Sequence, residues 1–346
     1  MKKDLDQEIN RGKKDRQFKF QRVPERNGVV LSSAAQVAPF FKPLGLCTIA
    51  DSAPPFTNFG PGARFLELPP LKTVHVQLIF WGSAWAGTLN ALATQITSSV
   101  QNILAGSYMT YLAQYGVGRG TLLGTSFFTG SDPPNDTWFD SAGNPIGSGF
   151  NEQDFSHVST FIQRELDVGG LPEPYSKPPI FYCVIMPPTA SFYDTKNPPN
   201  TRGVVGENWF AWWWPLVPTV GHPPAPIHIA WVGNDGTVDY VTNVLSHELV
   251  EVCTDPFGSL GGGGIRKVGC TDGSCQIGDP CTGTCDYVNG IKVQGYWSQV
   301  DKKCITPNWY SVKRTLYGRD FSRGIGGSLQ PHVPIPSLRT LVASLF

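Results

Sequence analysis

Apolar residues first gather at "VHVQLIFWG" (74–82), where β-branched and aromatic side chains run up to Gly82. That makeup predicts a strand. The period then changes. In "TLNALATQITSSVQNILAGSYMTYLAQYG" the residues Leu89, Leu92, Ile96, Val100, Ile103 and Leu104 recur at helical spacing, predicting one long helix that Gly116 stops. "TLLGTSFFTG" reads as a strand, "DFSHVSTFIQREL" (154–166) as a helix and "PIFYCVIMPP" as a buried strand. Residues 188–226 are rich in Pro and Trp and hold no period, which predicts a long loop. "IHIAWVGN" (227–234) is again a strand, and "DYVTNVLSHELVEVCT" a helix with Asp239 as N-cap and Asp255–Pro256 as its stop. Strands alternating with helices predict an α/β fold, one sheet backed by helices.

The ends of the chain differ from this middle. Residues 1–35 are mostly charged, lack the apolar stretch of a secretory leader, and read as a flexible charged arm or pro-segment. Residues 36–258 hold the α/β domain. "GGGG" (261–264) is a flexible joint within a Cys-rich lobe spanning 259–307, and a basic, irregular extension covers 308–346.

Charge narrows the function. Lys plus Arg and Asp plus Glu number 27 each among 346 residues, so the net charge is zero. A nucleic-acid binder or a protein docked on an anionic membrane needs a basic surplus, and none is present. No apolar run reaches the roughly 18 residues of a membrane span. The eight cysteines point outward from the cell, since five crowd between Cys270 and Cys304 at spacings x4, x5, x3 and x18. These are not the paired C-x2-C knuckles of a zinc ribbon, so disulfides and an oxidising, extracellular setting are expected. Cys183 and Cys253 stand in apolar contexts and read as buried, inert thiols.

Candidate chemistry concentrates in "SHELVEVCTDP" (246–256). On a helical wheel Val241, Val244, Leu245, Leu249 and Val252 form the core stripe. His247, Glu251 and Asp255 descend one margin of it, with Glu248 alongside. An imidazole and a carboxylate four residues apart can grip one cation, with Glu248 next to them as general base. This is the logic of the H-E-x-x-H zinc helix with a carboxylate in the second ligand position. The third ligand is Asp255 at the helix end or Asp279 in "CQIGDPC", with His222 more remote. His75, His157 and His228 read as structural. Zinc fits a set containing histidine, whereas calcium, the alternative, prefers six to eight oxygens.

Taken together, "VQLIFWG", "IAWVGN", "LSHELVEVCTDPFG" and "IGDPC" resemble the phosphate-induced, EXORDIUM-like family of secreted proteins over roughly residues 70–305. The likeness is greatest to a microbial branch with an HExxE helix. It implies a zincin-like, metzincin-like mixed sheet with backing helices, followed by a disulfide-rich C-terminal lobe. Gln276 departs from the pattern, standing where relatives carry Glu. Plant members are extracellular and linked to cell-wall expansion without a settled activity. The ladder of His247, Glu251 and Asp255 on the helix makes a zinc-dependent peptide hydrolase acting on a peptide or protein substrate the expected function. The alternative is a non-catalytic cell-surface or cell-wall binding protein, with polysaccharide a possible partner. In "ENWFAWWWPLVP" the residues Trp212, Trp213 and Trp214 are candidate substrate-stacking groups. Asn135 begins an N-glycosylation sequon.

Overall fold

The structure is a computed structural model. It describes residues 59–61, 70–139, 143–151, 155–190, 192–193, 206–213, 215, 224–257, 264–267 and 276–307. The charged arm, the extension after 307, Trp214 and His222 lie outside the described residues.

In chain order the strands are β1 (Phe59–Pro61), β2 (His75–Trp81), β3 (Thr121–Phe128), β4 (Asp136–Phe139), β5 (Pro145–Asn151), β6 (Ile180–Ile185) and β7 (Phe192–Tyr193). They continue with β8 (Gly206–Trp213), β9 (Ala225–Val232), β10 (Ile265–Lys267), β11 (Cys285–Val288), β12 (Ile291–Gln294), β13 (Tyr296–Ser298) and β14 (Lys303–Ile305). The α-helices are α1 (Asn90–Ala105), α2 (Ser107–Thr110), α3 (Phe155–Asp167) and α4 (Val238–Thr254).

A five-stranded sheet in the order β3-β2-β6-β9-β8 organises the chain. Its first four strands are parallel and β8 runs antiparallel at one edge. Parallel strands buried on both faces must be apolar on both, and β6 is buried along its whole length. Alternate residues supply two separate cores. Val76, Leu78, Phe80, Phe181, Cys183 and Ile185 face α1 and α4, while Ile79, Trp81, Tyr182 and Val184 face α3. The chain steps from β2 outward to β3 through α1 and then back across β2 to β6 through α3. Right-handed crossovers in opposite directions require helices on opposite faces, as observed.

Three departures from the expected elements have local causes. The predicted long helix ends at Ala105, because Gly106 is extended, and short helical turns then run to Tyr115. Thr237, not Asp239, caps α4, its hydroxyl accepting from the Tyr240 N–H at 3.2 Å. Within the expected 188–226 loop lies β8. It shows no period because it is an edge strand half-covered on both sides, with polar Glu207 and Asn208 among aromatics.

After α4 the chain builds a lobe that packs back on that helix. Hairpin β11–β12 turns at Asn289 and Gly290, both at positive φ (55° and 80°), a geometry that favours this residue pair. The Thr242 hydroxyl donates to the Lys292 carbonyl at 2.7 Å, and the Tyr108 hydroxyl donates to the Ser246 and Gln294 carbonyls at 3.1 and 2.9 Å. Ile277, Val293, Tyr296 and Trp297 join the same apolar cluster as α1 and α4, so lobe and sheet share a core. A disulfide links Cys281 to Cys304, and Cys285 is disulfide-bonded as well. Cys183 and Cys253 are free and buried.

Candidate metal centre

Every residue of α4 from Tyr240 to Thr254 is buried. The polar margin of the helix is therefore enclosed. β8 covers it on one side, and the segment holding Gly278 and Asp279 covers it on the other. Contact is close enough to demand glycine. A methyl group on Gly206 would sit 2.6 Å from Glu248 Oε1, and one on Gly278 would sit 2.8 Å from both Glu251 Oε1 and His247 Nδ1.

Within this enclosure His247 Nε2 lies 3.2 Å from Glu251 Oε1, 3.9 Å from Asp279 Oδ1 and 4.0 Å from Glu248 Oε1. His247, Glu248 and Glu251 can each offer one ligand atom with all three within 4.8 Å of one another. Two ligands about 2.1 Å from one tetrahedral ion are roughly 3.4 Å apart, so the His247–Glu251 separation of 3.2 Å is close to that of neighbours on a cation. Despite its proximity to Nε2, Glu251 Oε1 is buried and has no hydrogen-bond partner. The two heads thus converge without bonding each other.

Neighbouring groups hold the acids in this pose. Asn208 Nδ2, from β8, donates to Glu248 Oε2 and Glu251 Oε2, each at 2.8 Å, leaving both Oε1 atoms turned towards the imidazole. The Gln276 N–H donates to Asp279 Oδ2 at 3.1 Å. Gln294 Nε2, at the end of β12, stands 2.6 Å from His247 Nδ1.

Burial perturbs His247, Glu248 and Glu251. Among the described residues no Lys or Arg pairs with Glu248 or Glu251. Burial pushes Glu248 up to about 8, with the charge of Asp279 adding to it against the Asn208 hydrogen bond. Glu251 is driven well above the carboxylate range by burial and then by Asp279 and Glu248. Burial lowers His247 to about 4, so the imidazole is neutral and able to act as a ligand. Two buried acids, Glu248 and Glu251, beside a neutral histidine and closed off from water, need protons or a divalent ion for charge balance. The donors fit such an ion.

Placement separates the candidate residues. His247, Glu248, Glu251 and Asp279 come together. Asp255 caps α4 and lies against Gly264, outside the group formed by His247, Glu248 and Glu251. Trp213, a candidate stacking group, is 2% exposed and its indole N–H donates to Asp167 Oδ1 at 3.1 Å. Strand alternation sends its neighbour Trp212 outward, 40% exposed, against Phe210. His228 is buried, its Nδ1 3.0 Å from the Pro256 carbonyl. Asn208 and Gln294 escaped sequence reasoning, since an amide in an aromatic run and another at a hairpin end carry no spacing signal.

No family model, curated protein or solved structure matches the chain.

Proposed function

We propose that the chain is a zinc-dependent peptide hydrolase built on a zincin-like sheet. One observation carries this reading: the 3.2 Å approach of His247 Nε2 to a buried Glu251 Oε1 that has no hydrogen-bond partner. His247, Glu251 and Asp279 would hold the ion, which supplies Lewis acidity and lowers the pKa of water. Glu248, at the cluster margin and held by Asn208, would accept a proton at Oε1. The scaffold supports the assignment, because the HExxE helix follows a central parallel strand and the antiparallel edge strand β8 borders the site. The disulfides agree with an extracellular location, and no helix among the described residues is long and apolar enough to cross a membrane.

The test is metal analysis of the purified chain with a peptide-library cleavage assay. Zinc near one equivalent is expected in the native chain and none in His247→Ala. Glu248→Gln should keep the metal and lose turnover. Retained turnover would remove Glu248 as base, and a native chain that takes up no zinc would end the reading.

A second reading rests on enclosure. The side chains of His247, Glu248, Glu251 and Asp279 are 7% exposed or less, which suits a closed structural ion in an EXORDIUM-like, extracellular binding protein. The imidazole argues against calcium there. Bound zinc with no cleavage of any peptide would select it.

A further inference from the structure

Gln294 ends β12 and is wholly buried beside the imidazole. Its Nε2 lies 2.6 Å from His247 Nδ1 and 3.1 Å from the Gly278 carbonyl oxygen. Its Oε1 is buried and has no hydrogen-bond partner. A carbonyl can only accept, so the amide nitrogen must face Gly278, and its second N–H is then directed at Nδ1. A neutral imidazole that accepts at Nδ1 carries its proton on Nε2, the atom facing Glu251, Glu248 and Asp279. A protonated ring nitrogen has no lone pair for a cation. Coordination through Nε2 therefore moves the proton to Nδ1, where it needs an acceptor. The same side chain holds one, because half a turn of the terminal torsion exchanges Nε2 for the orphaned Oε1.

We propose that Gln294 governs the tautomer of His247, directing the ring proton to Nε2 in the metal-free chain and, by turning its amide over, to Nδ1 when Nε2 binds a cation. This rests on the cation site proposed above for its second half only. The turn gives up the bond to Gly278, and in exchange Oε1 accepts from the Nδ1–H that coordination creates, which supports the loaded state. Gln294 is a positioning residue in this scheme. It acts on the ligand through the nitrogen remote from the cation, as outer-shell partners of metal-bound histidines do.

The experiment is nitrogen NMR of histidine-labelled chain at neutral pH, assigned with His247→Ala, in the native protein, Gln294→Glu and Gln294→Met. In the metal-free native chain the His247 Nδ1 resonance should be that of an unprotonated nitrogen. Gln294→Glu, whose carboxylate can only accept, should move the proton to Nδ1, and Gln294→Met should lose the preference. On zinc titration Gln294→Met should bind about 10- to 100-fold more weakly, with Gln294→Glu at least as tight as native. A protonated Nδ1 in the metal-free native chain overturns the proposal. So do equal losses of affinity in both variants without a change of tautomer, the result of a merely structural role. If the native chain takes up no zinc, the cation reading fails, and the metal-free spectrum still decides the role of Gln294.

Discussion

Helices α1 and α4 are 16 and 17 residues long and share one apolar cluster, yet α1 buries a stripe and α4 its whole circumference. On α1, Ala93, Ile96, Val100, Ile103 and Leu104 are inside while Gln95, Ser98 and Gln101 meet water. Nothing polar there requires a protein partner. On α4 every polar side chain from Tyr240 to Thr254 is enclosed and must be answered. Most are answered by neutral bonds: Thr242 donates to Lys292, and the Ser246 hydroxyl donates to the Asn243 carbonyl and accepts from the Gln294 N–H. Asn243 Oδ1 has no hydrogen-bond partner, and His247, Glu248 and Glu251 are the titratable exceptions. Their partners are amides, one further acid and each other, which leaves a demand for positive charge. The difference locates function: a helix can stabilise a fold with its stripe alone, and a fully buried helix carrying charge implies something to balance it.

That contrast is sharpest in its response to metal. Zinc supplied at about a thousand times its dissociation constant should add about 4 kcal/mol to unfolding stability, and should add nothing in His247→Ala. Urea denaturation with and without zinc measures this.

The pH response of the metal-free chain has its source in the same cluster. Glu248 is raised from 4.5 to about 8, so the folded state holds its proton more tightly than the unfolded state does. Its stabilising contribution is complete below about pH 4.5 and is lost as pH rises through about 8. His247 and His228 are both lowered from 6.5 to about 4 by burial, with the Pro256 carbonyl working against this at His228. Their contribution is complete above about pH 6.5 and disappears as pH falls towards 4. Metal-free protein should therefore lose stability on the alkaline side, and zinc should abolish that loss by replacing the proton. An alkaline loss unchanged by zinc would contradict the cluster's role.

Ile96→Ala on α1 should cost about 2–5 kcal/mol through the cavity it leaves, without altering zinc uptake. Gly278→Ala should cost about 1–3 kcal/mol through overpacking, and it should also weaken zinc binding, since the added methyl presses on His247 and Glu251. Gln95→Ala, on the wet face of α1, should fall within about 0.5 kcal/mol of native in thermal unfolding. A Gly278→Ala chain that binds zinc normally would break the comparison at its most informative point.

Makeup and periodicity found β2, β3, β6, β9, α3 and the α1 stripe, because apolar β-branched runs mark strands and a half-buried helix leaves its burial written in residue order. They misplaced the end of α1 and missed β8, and they also missed β4, β5 and the lobe strands β11–β14. A glycine in extended conformation interrupts a pattern without changing its apolar members, and an edge strand covered unevenly has no period to read. For the site, the spacing of His247 and Glu251 showed that one cation could lie between them. It could not choose between Asp255 and Asp279, which stand 4 and 28 residues beyond Glu251.

The sequence by itself determined an α/β chain with a histidine and two acids on one helix margin and cysteines enough to brace the lobe beyond that helix. Tertiary structure decided that this margin is enclosed, that Asp279 approaches His247 while Asp255 caps the helix, and that Asn208 and Gln294 hold the heads in place. Local spacing reports what one turn of helix can align. Burial and partnership depend on strands brought back from 39 residues before His247 and 47 after it, and distances of that kind are set by sheet order and lobe packing.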